Sequence, residues 1–226
     1  MRHELKYLLT PLQYVLLQSR LKWVLKPDEH ALKTGGYFIR SVYFDSPDRI
    51  ALEAKQSGVN SRKKYRIRFY NSDAEHCRLE CKEKTGTRIQ KLSQPLTRAE
   101  AETLLAGGNG ICAEEGTLLH RMQLLVGSEG YAPVVTVDYL REAYVLPLSE
   151  LRITFDKEIA WGPVKDCMTR ERYLSNIYGD NVVLEVKYND YLPEHISAIL
   201  ASVAPVQTAA SKYVACVESQ LAEKGY

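Results

Sequence analysis

Polar and apolar side chains alternate through Arg62-Lys63-Lys64-Tyr65-Arg66-Ile67-Arg68-Phe69-Tyr70. Successive strand side chains point to opposite faces. Lys64, Arg66 and Arg68 therefore share one face, and Tyr65, Ile67 and Phe69 the other. The next segments repeat the design. In 78–84, Arg78, Glu80, Lys82 and Lys84 fall on one side and Leu79 and Cys81 on the other; after the turn at 84–87, 88–92 reads as a further strand. The N-terminal residues alternate too, with Arg2, Glu4 and Lys6 opposite His3, Leu5 and Tyr7. Thr10-Pro11 then supplies an N-cap and a proline at the first helical position. Apolar residues at roughly helical spacing carry a helix to about Lys26, before Pro27.

Farther on, 37–45 reads as a strand and 48–55 as a short helix or irregular segment. Thr97-Arg98-Ala99-Glu100 is a capping box opening a helix. A second helix is expected over 114–126, strands over 133–146, 151–160 and 181–191, and helices over 193–203 and 209–224. Few strands are joined by a helix long enough for a parallel crossover, which predicts an antiparallel α+β fold. There is no phosphate-binding Walker loop and no dinucleotide glycine fingerprint.

Composition narrows the classes. The 226 residues suit one large domain or two small ones, and no linker rich in Pro, Gly or Ser divides them, so one domain over 1–226 is expected. The net charge of +2 argues against a globally basic nucleic-acid binder. The positive charge is local to the strand faces. Five cysteines with no C-x-x-C, and no second Cys/His cluster to complete a zinc site, read as buried free thiols in a reducing compartment. The start opens straight into a charged strand with no signal peptide, and no apolar run is long enough to span a bilayer. A cytoplasmic location without direct membrane insertion is expected.

The later strands carry the same division. Arg141 shares a face with Val137 and Tyr139; Arg152, Thr154, Asp156 and Glu158 oppose Leu151, Ile153 and Phe155; Glu185 and Lys187 share a face. An open sheet would show these charges to solvent, and a closed barrel would turn them inward to line a tunnel. Mixed Arg, Lys and Glu suits a tunnel for phosphates and a divalent cation. Arginine binds phosphate oxygens in pairs, lysine acts as a point charge, and glutamate is a hard ligand for Mg²⁺ or Mn²⁺. For a single strand a solvated face is the better reading; repetition along the chain puts anion binding ahead.

The ordered set Arg2-x-Glu4-x-Lys6-Tyr7, Ser41-Val42-Tyr43-Phe44-Asp45, the basic run at 62–70, Leu79-Glu80-x-Lys82, Val137-x-Tyr139-x-Arg141, the run at 151–156, Leu184-Glu185-x-Lys187 and Ser211-Lys212-Tyr213 resembles the VTC polyphosphate polymerase domain of the CYTH-like, or triphosphate tunnel metalloenzyme, superfamily. The resemblance spans nearly the whole chain. It implies an antiparallel β-barrel tunnel with helices packed outside. It also implies transfer of the ATP γ-phosphate onto phosphate, pyrophosphate or a growing polyphosphate chain, with Mn²⁺ or Mg²⁺. It places Lys6, Arg66, Arg68, Lys82, Lys91, Arg141 and Lys212 on phosphates, with Lys64, Arg152, Lys187 and Ser211 as further substrate-binding residues. Glu185 is the implied metal ligand, with Glu80 and Glu4 as weaker ones. Lys6, Arg66, Arg68, Lys82, Arg141 and Glu185 form the implied catalytic set. Arg2 stands where superfamily triphosphatases and cyclases carry a glutamate, which leans toward the polymerase branch; Ala209 stands where a further basic residue is expected.

Several residues also have plainer readings. Lys82 and Lys91 read equally as surface lysines, Glu185 as a partner of Lys187, Glu80 and Asp156 as counter-ions of arginine, Ser211 and Lys212 as helix-start residues, and Asp45 as a strand end. The histidines form no pattern. Rival functions are hydrolysis of tripolyphosphate or nucleoside triphosphate in the same tunnel, a non-catalytic polyphosphate- or nucleotide-binding module and, more weakly, an RNA-binding sheet. The last needs aromatic rings among the cations, whereas those of the basic strand alternate onto the opposite face. No nucleic-acid partner is expected, and a membrane-associated protein partner is left open.

Overall fold

The structure is a computed structural model of the chain. It describes all residues except Met1, 32–34, Ser72, Thr87, Asn109, Leu148, Arg170, Leu174, Ala204, Ala210, Lys224 and Tyr226, together with the side chain of Arg2. In chain order the elements are β1 (Arg2–Leu9), α1 (Pro11–Leu21), β2 (Lys26–Pro27), β3 (Tyr37–Asp45), α2 (Ile50–Gln56), β4 (Ser61–Tyr70), β5 (Asp73–Thr85), β6 (Arg88–Leu96), α3 (Arg98–Leu105) and α4 (Leu118–Glu129). They continue with β7 (Ala132–Val145), β8 (Arg152–Gly162), β9 (Ser175–Asn176), β10 (Val182–Asn189), α5 (Glu194–Ala201), β11 (Val206–Gln207) and α6 (Lys212–Glu223). The fold is an antiparallel sheet with helices, α+β as expected.

The chain forms two compact units. The first comprises 1–38, 139–159 and 176–211. Its strand order is β11-β1-β10-β8-β7. Leu17 and Leu21 of α1 and Ile196 and Leu200 of α5 pack with Ile153 and Phe155 of β8 and Leu184 and Val186 of β10. Helix α1 starts as expected: Gln13 N–H donates to Thr10 Oγ1 at 3.3 Å and Thr10 N–H to Gln13 Oε1 at 2.9 Å, with Pro11 first in the helix. It stops at Leu21, short of Lys26, because Lys26 and Pro27 leave it to pair with Val145 and Tyr144. Helix α6 was expected from 209 but starts at Lys212. The preceding backbone is drawn out as a strand: Val206 and Gln207 pair with Leu8 and Tyr7, and Thr208 N–H donates to Lys6 O at 2.8 Å. Such two-residue strands are too short for an alternation pattern to reveal.

The second unit comprises 39–138, 160–175 and 212–226. Its strand order is β7-β3-β4-β5-β6. Tyr65, Ile67, Phe69, Cys77, Leu79 and Cys81 pack beneath α3 and α4 against Ala101, Leu104, Leu118, Leu119 and Met122. Cys77 and Cys81 share the core face, as their spacing predicts, and burial pushes both thiols up to about 11. The Thr97 capping box is formed. Helix α4 starts four residues later than expected, where the Thr117 hydroxyl accepts from His120 N–H at 3.1 Å, and ends at Gly130, whose φ of 65° suits glycine. A buried pair, Arg40 to Asp138 at 2.8 and 2.7 Å, also takes Tyr173 N–H on Asp138 and gives a hydrogen bond to Cys167 O at 2.7 Å. It fixes the segment after β8.

The hydrogen-bonded order ends at β11 and at β6. Among the described residues neither strand pairs further, so the expected closed β-barrel is not formed: the strands make an open hydrogen-bonded order. Strand β6 is mostly exposed and carries Arg88 and Lys91, the charges that keep an edge from adding strands. No helix among the described residues is long and apolar enough to cross a membrane.

Candidate functional site

In the second unit, register assembles a charged face. Arg66 lies opposite Tyr43 on β3 and Glu80 on β5; Arg68 lies opposite Ser41 and Arg78; Lys64 lies opposite Lys82, which in turn lies opposite Lys91 on β6. The alternate residues of these strands fill the core, so burial of Ile67 and Leu79 fixes which way the cations point. The centre is Glu80, buried at 2 % exposure. Arg66 reaches its Oε2 with Nε at 2.8 Å and Nη2 at 2.6 Å; Arg68 Nη1 lies 3.6 Å from the same oxygen; Lys91 Nζ lies 2.5 Å from Oε1. Burial works to raise the Glu80 pKa, but Arg66, Arg68 and Lys91 outweigh it and hold the carboxyl at about 2.

Aromatic residues frame these cations. Arg66 Nη1 donates to Tyr43 Oη at 2.9 Å. Burial raises the Tyr43 phenol, and the nearby Arg66, Arg68 and Lys212 bring it below its ordinary value. Lys64 Nζ sits 5.0 Å from the centre of the Tyr213 ring. The Tyr213 hydroxyl donates to Asp45 Oδ2 at 2.5 Å. Asp45 does more than end a strand: it also accepts from the N–H groups of Ser46, Ala51 and Leu52, capping α2. The contact therefore ties the first turn of α6, which begins with Lys212, to the end of β3.

The first unit carries a different face. On β1 and β10, Lys6 lies opposite Glu185 and Glu4 opposite Lys187. Lys6 Nζ lies 3.1 Å from Glu4 and 3.7 Å from Glu185, and Lys187 Nζ donates to Glu185 Oε2 at 2.6 Å. Burial lowers the Lys187 pKa, Glu185 and Glu4 oppose that, and the result is about 8. On β7, Arg141 makes a paired contact with Asp156 of β8 at 2.6 and 2.7 Å, both groups buried. Burial works against the Arg141 charge, and Asp156 more than restores it. Arg152 Nη2 donates to Asp28 at 2.8 Å and to Tyr37 Oη at 3.0 Å. Ser211, half-buried, immediately precedes α6.

The expected residues thus gather in two sets. Lys64, Arg66, Arg68, Glu80, Lys82 and Lys91 form one sheet face, joined by Lys212 through Tyr43; Glu4, Lys6, Arg141, Arg152, Glu185 and Lys187 belong to the other unit. Sequence reasoning gave Tyr43 and Tyr213 no role of their own and read Asp45 as a strand end only. Alternation along β3 puts Tyr43 on the face of Ser41, but a tyrosine there announces no role. Among the described residues no group of three or more His, Cys, Asp or Glu could hold a metal ion. The donor chemistry separates the three glutamates. Glu80 is enclosed by cations, whereas Glu4 and Glu185 come from adjacent strands and converge on one lysine. Mg²⁺ takes one or two carboxylates and completes its shell with water and substrate phosphates, so Glu185 with Glu4 fits such an ion and Glu80 does not.

A family model described as the VTC domain matches residues 1–221. No curated protein matches. Among solved structures, the chain is similar to a candidate adenylate cyclase from Bacillus halodurans, with TM-score 0.57, 16% identity and 92% of each chain covered. It is similar to a protein from Pyrococcus horikoshii, with TM-score 0.53, 15% identity and coverage of 98% of this chain and 99% of that one. A candidate adenylate cyclase from Vibrio parahaemolyticus gives TM-score 0.50 and 13% identity over 95% and 96%. These likenesses carry the fold. The family match covers almost the whole sequence, and the chain belongs to the VTC domain family.

Proposed function

From its membership of the VTC domain family, we propose that this chain is a metal-dependent phosphotransferase that builds inorganic polyphosphate from the γ-phosphate of ATP. The observation that carries the reading is the second unit's face, where Arg66, Arg68 and Lys91 converge on a single buried carboxylate. By register Lys64, Arg66, Arg68, Lys82 and Lys91 share that face with Glu80, and the negative oxygens of a phosphate chain suit such a row of cations. Arg66 and Arg68 grip phosphate oxygens, with Lys64, Lys82, Lys91 and Lys212 adding point charges. Glu80 acts as the counter-ion that keeps the arginines aligned. Lys6, Arg141, Arg152, Lys187 and Ser211 complete the substrate contacts. One domain over 1–226 and a cytoplasmic location are parts of the same proposal.

Glu185, with Glu4, would hold Mn²⁺ or Mg²⁺. Such an ion, when bound, offsets the charge on the phosphate oxygens. Phosphoryl transfer asks little covalent chemistry of a protein; positioning and charge stabilisation carry it. No side chain serves as a covalent nucleophile, and the acceptor is phosphate, pyrophosphate or the end of a chain.

Incubation with ATP and Mn²⁺, followed by gel separation, tests the reading. Long phosphate chains support it. Free phosphate alone replaces it with a triphosphatase, and tight polyphosphate binding without turnover replaces it with a binding module.

A further inference from the structure

Strand β8 alternates cleanly. Ile153 and Phe155 enter the core of the first unit, and Arg152, Thr154 and Asp156 occupy the other face. Thr154 lies directly opposite Glu185 on β10, and Arg152 opposite Lys187. The polar groups around Thr154 are engaged: Asp156 with Arg141, and Glu185 with Lys187 and Lys6. Two atoms on this face are not. The Thr154 hydroxyl oxygen and Arg152 Nε are both buried without a hydrogen-bond partner, and Thr154 as a whole is 1% exposed.

Buried polar groups nearly always find partners, and valine would fill the same space without leaving a hydroxyl unsatisfied. Two such atoms at alternate positions of one strand face point to something that approaches from that side. Arg152 Nε is a donor only, so what approaches offers an acceptor, and Lys6, Lys187, Arg141 and Arg152 lie on or beside the same strands, interleaved with Glu4, Glu185 and Asp156. An anionic oxygen accepts from a hydroxyl more strongly than a neutral one does. We propose that Thr154 is a further substrate-binding residue, its hydroxyl donating to a phosphoryl oxygen of the bound phosphate chain beside Arg152 Nε. The proposal rests on the phosphate-binding reading above and assigns that site an uncharged donor.

The test titrates inorganic tripolyphosphate into the full-length wild type, Thr154→Val and Thr154→Ser, and records melting curves without ligand. Thr154→Val should bind about tenfold more weakly or worse, and Thr154→Ser should bind like the wild type. Without ligand, Thr154→Val should melt at or above the wild-type temperature, because a buried unpaired hydroxyl has been removed. Equal binding by Thr154→Val overturns the proposal. So does a ligand-free Thr154→Val that melts well below the wild type or fails to fold, which would show that the hydroxyl is bonded within the protein. A wild type that ignores tripolyphosphate overturns the phosphate reading itself, and Thr154 with it.

Discussion

The two units solve one electrostatic problem in opposite ways. In the second, Arg66, Arg68 and Lys91 all close on the one carboxylate of Glu80. In the first, signs alternate: Glu4, Lys6, Glu185 and Lys187 neutralise one another across β1 and β10, and Arg141 is matched by Asp156. A face dense in arginine and lysine suits a polyanion, whereas a balanced face with carboxylates from adjacent strands can also accept a cation. Under the proposed function, phosphate holding falls chiefly to Arg66 and Arg68 and ion holding to Glu185.

Breaking the first arrangement should have the largest effect. Glu80→Gln removes the buried carboxylate that Arg66, Arg68 and Lys91 share and should destabilise the protein by about 3–5 kcal/mol, read as a fall in denaturant midpoint. Acid should reach the same interaction. The Glu80 carboxyl is held at about 2 in the fold against an ordinary 4.5, so its contribution is complete above about 4.5 and is lost as pH falls towards 2. The contribution is on the order of 3 kcal/mol, so the melting temperatures of wild type and Glu80→Gln should converge over that window. A constant gap would contradict the assignment.

Breaking the second arrangement should touch chemistry more than stability. Glu185→Gln should cut metal-dependent turnover roughly 100-fold or more while near-ultraviolet circular dichroism stays native; full activity would remove Glu185 from the site. The smallest change, Tyr213→Phe, deletes the hydroxyl that Asp45 accepts and should cost about 1–2 kcal/mol. Its thermal melt checks whether this contact secures the start of α6.

Much of the fold was legible because burial of one face forces a period-two pattern. The basic run fell on β4, and Thr10 and Thr97 opened α1 and α3 where their capping partners required. The paired strands β2, β9 and β11 were not legible, since two residues cannot show a period. The same limit hid the ends of α1 and α6, which long-range pairing decides. At the site, charge was visible but its partner was not. Sequence offered Glu80 both as a weaker metal ligand and as a counter-ion, and only register reveals that two arginines and a lysine close on it. Asp45 looked like a strand terminus because its contact to Tyr213 spans most of the chain.

The most direct test of the division between the two faces is a calorimetric titration of tripolyphosphate, without metal, into wild type, Arg66→Ala and Glu185→Gln. The account predicts that Arg66→Ala binds about 10- to 100-fold more weakly, that Glu185→Gln binds as well as wild type or better, and that added salt weakens the wild-type interaction. Unchanged binding by Arg66→Ala, with loss of binding in Glu185→Gln, would contradict it.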